Sequence, residues 1–314
     1  ASSGGALSAI LVSLIQTKRV DFIAHVGADQ ADPFSIRLRA SRTREDILAS
    51  VGSLYAPTAP LAQLSSILAS NEGRCAFVGR PCDVSGLRLY LQTDSELRER
   101  IRFLLSFFCA GVPSWHATWT ILRRMGLERS EVREFRYRGY GWPGKVTAVA
   151  RDGRERSLEY SLAWGEILNR ELQFRCKLCA DGVGESADIV CGDAWDSEGG
   201  YPDFRERPGR SLVVARTPLG QEILLQARES GSLTWCPIGV DDLAKMQPYQ
   251  LARRRATLPR LLGTIAAGRL VPRYKGLRLL ANAIDGGAVA CLRQFLGTWW
   301  RARRLRPDSS RTAT

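Results

Sequence analysis

Residues 74–91 read RCAFVGRPCDVSGLRLYL, and the break in the middle of this stretch decides the fold class. RCAFVG is a short apolar run that reads as a buried strand, and CDVSGLRLYL beyond Arg80-Pro81 reads as a helix. The same pairing extends outward on both sides. Upstream, SSGGALSAILVSLIQ carries a serine cap and apolar residues at 7, 10, 11, 14 and 15, the helix period, and VDFIAHVGA follows as a strand. TAPLAQLSSILAS predicts a further helix. Downstream, IRFLLSFFCAG reads as strand and PSWHATWTILRRMG as a serine-capped helix. This alternation predicts an α/β sheet with helices on its faces. The middle of the chain changes character: VREFRYRGYGWPG, KVTAVARDGRERSLEYS with an Asp152-Gly153 turn, ADIVCGDA and SLVVART read as antiparallel or mixed strands. The expected class is α/β grading into α+β: a mixed β-sheet flanked by helices, an antiparallel β-rich middle and a helical C-terminal tail.

At 314 residues and 45% hydrophobic content the chain can bury one large core or two modest ones, which excludes a disordered protein. Eight scattered cysteines do not make a disulfide scaffold, and Ala1 does not open a signal peptide, so a reducing, cytoplasmic compartment is expected. The best apolar stretch, 279–300, is interrupted by Asp285, Gly286, Gly287 and Arg293, too polar to cross a bilayer. Charge is concentrated at one end. Residues 246–314 hold 14 Lys+Arg against Asp285 and Asp308, so nearly all of the net +13 belongs to them. The expected division is a domain over 1–245 and a basic helical extension over 246–314.

GYGWPG, residues 139–144, formally matches G-x-G-x-x-G, but it leads into the β-rich KVTAVA instead of a helix, so no dinucleotide fingerprint is assigned. It reads as a glycine-rich turn, flanked by Arg138 and Lys145 as candidates to hold the acidic part of a substrate. The cysteines are more specific. Cys82 stands at a strand-to-helix junction, and Cys109 ends a strand before the next helix. If neighbouring strands run parallel, both lie at the carboxyl edge of the sheet, where open α/β sheets bind ligands. With the C-x-x-C pair Cys176 and Cys179 they form a four-thiolate set suited to a [4Fe-4S] cluster or a structural zinc, which spacing alone does not separate. A redox dithiol at 176 and 179 lacks the early strand-to-helix placement, and four unrelated thiols are the bland alternative. Cys75, Cys191, Cys236 and Cys291 lie in apolar patterns and read as structural.

These residues carry a resemblance. SSGGALSAILVSLIQTKRVD, VGSLYAPT, VGRPCDVSGLR, FFCAGVPS, FRYRGYGWPG and CKLCADGVGESADIVCGDAW occur in the order and with the spacing of the coenzyme F-420 hydrogenase/dehydrogenase beta-subunit family, which includes 7-hydroxymethyl chlorophyll a reductase. The similarity runs from about residue 2 to about residue 275. The resemblance implies an iron-sulfur flavoprotein that binds FAD and passes electrons between a [4Fe-4S] cluster, the flavin and an organic or deazaflavin-type acceptor. It assigns the cluster to Cys82, Cys109, Cys176 and Cys179. Many members also carry an N-terminal ferredoxin-like segment with two cluster motifs. That segment is either cut off before Ala1 or supplied by another protein.

Candidate cofactor contacts follow from local chemistry. Ser2, Ser3, Gly4 and Gly5 at a helix N-terminus offer N–H groups to the FAD pyrophosphate, with an ordinary serine cap as the alternative. Gly52, Ser53 and Tyr55 can stack on or hydrogen-bond the cofactor, and Tyr55 can equally fill the core. Gly192 permits close backbone approach, and Asp193 can bind a ribose hydroxyl, cap a helix or orient a ring nitrogen. Trp142 and Trp195 can wall the isoalloxazine or pack in the core. The flavin itself supplies the redox chemistry, leaving His116 as a proton-relay candidate with a structural role as its alternative, and His25 as structural. Three readings of function stand: a flavin and iron-sulfur oxidoreductase; an electron-relay or structural subunit with a cluster and no substrate site; and a zinc-stabilised module whose tail binds nucleic acid, which lacks a reader motif. The expected partners are a ferredoxin-like or other acidic redox protein, a small-molecule acceptor and a second copy of the chain. In the last helix Ala288, Cys291, Leu292, Phe295, Leu296 and Trp299 form one apolar face edged by arginines. That helix either packs on the protein's own core or lies against an anionic membrane surface.

Overall fold

The computed structural model describes residues 3–29, 31–198 and 201–305. Helix α1 (Ser3–Gln16) feeds strand β1 (Phe22–Ala28), which returns as β2 (Ile36–Ser41) ahead of the short α2 (Arg44–Leu48). The alternation continues through α3 (Pro60–Ala69), β3 (Cys75–Gly79), α4 (Pro81–Tyr90), α5 (Ser95–Arg100), β4 (Ile101–Phe107) and α6 (Trp115–Met125). Then come β5 (Val132–Gly139), β6 (Lys145–Ala150), β7 (Glu155–Glu159), a π-helical turn (Ser161–Leu168) and α7 (Phe174–Lys177). The chain continues with β8 (Ile189–Asp193), β9 (Ser197–Glu198), β10 (Tyr201–Pro202), β11 (Ser211–Ala215), α8 (Pro218–Glu229) and α9 (Val240–Met246). Three helices close it: α10 (Pro248–Ala266), α11 (Leu279–Gly286) and α12 (Ala288–Arg304).

Two units emerge, one built from Ala1–Gln173 and Gly182–Gln247, the other from Phe174–Asp181 and Pro248–Thr314. In the first, a six-stranded sheet runs in the order β11-β8-β4-β3-β1-β2. The four inner strands are parallel, and β2 and β11 add antiparallel edges. β3 is buried at every position, as a strand covered by helices on both faces must be. Ile10, Leu14, Ile23, Phe103 and Leu105 fill one face, and Phe22, Phe77, Leu104 and Val190 fill the other. A second sheet, β5-β6-β7, is antiparallel and packs with α6 around Ile121, Leu122, Tyr137 and Ala148. The expected mixed sheet, β-rich middle and helical C-terminal region are all present. Ser114 is the N-cap residue of α6, as expected, but its hydroxyl makes no capping bond; Gly126 ends that helix at φ 68°, a conformation glycine adopts at little cost.

Within the second unit, α10 and α12 pack closely: a Cβ at Gly263 would lie 2.5 Å from the Phe295 carbonyl oxygen. The 174–181 segment joins these helices through its backbone carbonyls. Arg260 Nη1 donates to Lys177 O at 3.0 Å, Tyr274 Oη to Leu178 O at 3.2 Å, and Thr257 Oγ1 to Cys179 O at 3.5 Å. The expected apolar face of α12 divides. Cys291, Phe295 and Trp299 are half-buried, while Ala288, Leu292 and Leu296 are exposed.

Candidate functional site

A cavity in the first unit opens at the carboxyl ends of the parallel strands. His25 and Val26 of β1, Val78 and Gly79 of β3, Phe107 at the end of β4 and Asp193 at the end of β8 all line it. Leu7, Ser8 and Leu11 close it from α1, and the 50–58 loop contributes Gly52, Ser53 and Tyr55. Mostly apolar walls with a few convergent polar groups are the ordinary make-up of a cofactor pocket.

Asp193 is anchored there by Arg138. The guanidinium makes two bonds to the carboxylate, Nη1 to Oδ2 at 2.8 Å and Nη2 to Oδ1 at 3.1 Å, and its Nε donates to Pro143 O at 2.5 Å. Trp142 Nε1 adds a bond to Oδ1 at 2.8 Å. Trp142 stacks on Trp195 with centroids 4.5 Å apart, and Arg138 lies over the Trp195 and Tyr160 rings at 5.1 and 5.0 Å. Burial opposes the charge on Arg138, but the carboxylate of Asp193 overcomes it and raises the guanidinium pKa. A fork that grips both carboxylate oxygens is the strong form of such a pair.

On the other wall Arg80 is the N-cap of α4. It donates from Nε to Asp83 Oδ2 at 2.7 Å and from Nη2 to Thr58 O at 2.8 Å. Burial works against its charge, and Asp83 together with the sulfurs of Cys82 and Cys109 outweighs it, so its pKa is raised. Cys109 lies on the cavity wall, with its N–H donating to Gly182 O at 2.8 Å. Cys82 is exposed on the first turn of α4. His25 is buried, with Nε2 2.8 Å from Ser41 Oγ and Nδ1 3.3 Å from Val26 O. Burial first, then the charge of Arg39, lowers its pKa to about 4, so the imidazole is neutral near pH 7.

The cavity therefore gathers Ser53, Tyr55, Cys109, Arg138 and Asp193 from the expected set. Gly5 lies in the first turn of α1; the Ser3 and Gly4 side positions, like Ser2, lie outside the described residues. Gly192 has a packing reason of its own: a Cβ there would stand 2.8 Å from Phe108 Cγ. Tyr55 does both things expected of it, lining the cavity and packing against Trp164 at 4.8 Å. Lys145 is exposed and bonded to Glu159 at 2.7 Å, and His116 is exposed on α6; neither lines the cavity. Arg80, Asp83, Ser8 and the cavity position of His25 escaped the sequence reading. Arg80 carried the same signal as Cys82, its place at a strand-to-helix junction.

The remaining cysteines of the set belong to the second unit, on the short α7 turn. Burial pushes the Cys179 thiol up, and Arg253 opposes it; Cys176 is a close electrostatic neighbour. Among the described residues no three His, Cys, Asp or Glu side chains are already grouped to hold a metal ion. Each pair does have a fixed positive charge beside it, Arg80 next to Cys82 and Cys109 and Arg253 next to Cys179, the chemistry an anionic thiolate-bound centre needs, although at Cys179 burial outweighs Arg253 while no metal is bound. Cys75 and Cys191, by contrast, are buried, with thiols pushed up to about 12.

Comparison with known proteins decides the family. The model for the C-terminal part of the coenzyme F420 hydrogenase/dehydrogenase beta subunit matches residues 72–240, and that for its N-terminal part matches residues 1–65. The chain belongs to the coenzyme F420 hydrogenase/dehydrogenase beta-subunit family. This beta-subunit homologue is 27% identical over 241 residues to an uncharacterized protein of Methanocaldococcus jannaschii, covering 75% of the chain and 61% of the relative. It is 26% identical over 201 residues to the coenzyme F420 hydrogenase subunit beta of Methanothermobacter thermautotrophicus, covering 62% of the chain and 64% of that protein. The beta-subunit homologue thus spans somewhat over three fifths of these curated relatives. Its fold is similar to a chain of the F420-reducing [NiFe] hydrogenase complex from Methanosarcina barkeri, with a TM-score of 0.62, 21% identity and coverage of 85% and 88% of the two chains.

Proposed function

We propose that the chain is an FAD-dependent iron-sulfur oxidoreductase of beta-subunit type, moving electrons or hydride between a [4Fe-4S] cluster, FAD and an organic or deazaflavin-type acceptor. One observation carries the reading: Ser53, Tyr55, Asp193 and the thiol-bearing Cys109 line a single cavity at the carboxyl edge of the parallel strands. In this reading the cavity receives the flavin, and Cys82, Cys109, Cys176 and Cys179 are the cluster ligands. Bound flavin supplies hydride and single-electron chemistry, and the protein supplies geometry and charge.

The chain's own groups have definite tasks. Arg138 spends its donors on Asp193 and Pro143, so it acts as a support that holds the Asp193 carboxylate in place on the cavity wall. Arg80 holds a fixed positive charge beside Cys82 and Cys109 while its bond to Thr58 O ties the α4 terminus to the cavity loop. His25 stays neutral and takes no part as an acid near pH 7. The similarity to a hydrogenase beta subunit and to a chain of a hydrogenase complex supports work within a multisubunit assembly. In this reading the electron partner is a ferredoxin-like or other acidic redox protein.

Anaerobic purification with a visible spectrum, flavin release and iron and sulfide analysis tests the proposal. Stoichiometric flavin with iron and sulfide is expected. Iron without flavin replaces the reading with an electron-relay subunit, and a colourless protein holding zinc overturns it.

A further inference from the structure

The redox reading leaves α12 unused, although this helix displays an unusual surface. Val289, Leu292, Leu296 and Trp300 are 84%, 59%, 49% and 51% exposed. At 100° per residue they fall within an arc of about 80° on one side of the helix. The opposite side carries the buried Thr298 and Ala302 and the half-buried Cys291 and Phe295, where Phe295 meets α10 at Gly263 and Cys291 meets α11 at Ala283. The stripe is thus the outward face of a helix already packed on its inner side. Arg293, Arg303 and Arg304 project from the same outward side, Arg304 with its guanidinium 3.3 Å from the Trp300 ring centroid. Residues 286–305 contain no Asp or Glu.

We propose that this face of α12 docks on an anionic lipid surface, with Val289, Leu292, Leu296 and Trp300 entering the headgroup boundary and the arginines meeting lipid phosphates. An apolar stripe edged by arginine and aromatic residues is the composition of an interfacial helix, and long cationic side chains reach the headgroups while their stems stay apolar. Charge complementarity selects anionic over neutral lipid. The exposed stripe distinguishes a lipid surface from an acidic protein partner, which would be met by charge with little need for four exposed apolar side chains along one line. Because the other side of α12 is committed to α10, the device adds a location to the protein without remodelling it.

Sedimentation of the full chain with phosphatidylserine-containing and pure phosphatidylcholine vesicles, at low and high salt, tests the proposal. Binding is expected only with the anionic vesicles, and salt should weaken it. The triple variant Arg293→Gln, Arg303→Gln, Arg304→Gln should bind on the order of 100-fold more weakly, from about fivefold for each basic residue near the surface. The variant Leu292→Gln, Leu296→Gln, Trp300→Gln should lose a comparable factor, on the order of 100-fold, through lost apolar insertion. Unchanged thermal melts would show that both variants, made at outward positions, keep the fold. No sedimentation with anionic vesicles overturns the proposal. So does binding that survives the apolar variant, which would be charge adsorption alone, and so does saturable capture by an acidic ferredoxin that the apolar variant leaves intact while vesicles fail to bind.

Discussion

Arg138 and Asp193 grip each other through two parallel bonds of 2.8 and 3.1 Å, joining the antiparallel sheet of the first unit to the carboxyl end of its parallel sheet. Removing one partner strands a buried charge. Arg138→Met is expected to cost about 3–5 kcal/mol in urea denaturation, and Arg138→Met with Asp193→Asn much less than the sum of the single changes. Additive losses would show that the two side chains are not coupled.

Substituting any of Cys82, Cys109, Cys176 or Cys179 by Ser should strip most iron and labile sulfide from anaerobically reconstituted protein, since a four-thiolate cluster tolerates the loss of a ligand poorly. Cys236→Ser and Cys291→Ser should retain both. Equal retention across all six variants would remove the proposed ligand set.

His25 provides a pH signature. Its pKa falls from 6.5 to about 4 on folding, so the unfolded chain binds the extra proton first and stability declines as pH drops through that window. The loss attributable to this group approaches roughly 3 kcal/mol near pH 4, at about 1.4 kcal/mol for each unit of pKa difference. His25→Gln, which can keep a bond to Ser41, should flatten the slope of unfolding free energy between pH 6.5 and 4. A variant whose slope matches the parent would place the acid sensitivity in other groups.

Gly192→Ala should destabilise the first unit by about 1–3 kcal/mol, because the new methyl would meet the Phe108 ring, and Phe108 itself lines the cavity between Phe107 and Cys109 in the chain. If the substitution is instead neutral in chemical denaturation, Phe108 has room to move and the close approach is not what requires glycine.

Much of the first unit was legible because its strands and helices differ in period. RCAFVG followed by CDVSGLRLYL could only be a buried strand and a surface helix, and once the strands are parallel the junctions carrying Cys82 and Cys109 must share an edge. β2 was missed: IRLRAS is an edge strand with Arg37 exposed and Arg39 half-buried, so charge masks the apolar alternation of Ile36 and Leu38. Arg80 and His25 could not be placed on the cavity from sequence, since a strand pattern tells which side chains are buried but not what space they border. The single apolar face expected on α12 divides into a half-buried and an exposed part, because inward and outward apolar stripes lie side by side on that helix and merge in a one-dimensional count. Least legible was the company kept by the Cys176–Cys179 turn, whose carbonyls bond to residues from 257 to 274.

Those bonds set an order of events during synthesis. The Cys176–Cys179 turn leaves the ribosome long before Thr257, Arg260 and Tyr274 exist to receive its carbonyl groups. Until the last helices have been made, the two thiols sit on an unbraced loop, exposed to stray metal and oxidant. In the proposed reading the cluster would be loaded only after α10 has been made, because only then is the turn that carries two of its ligands braced.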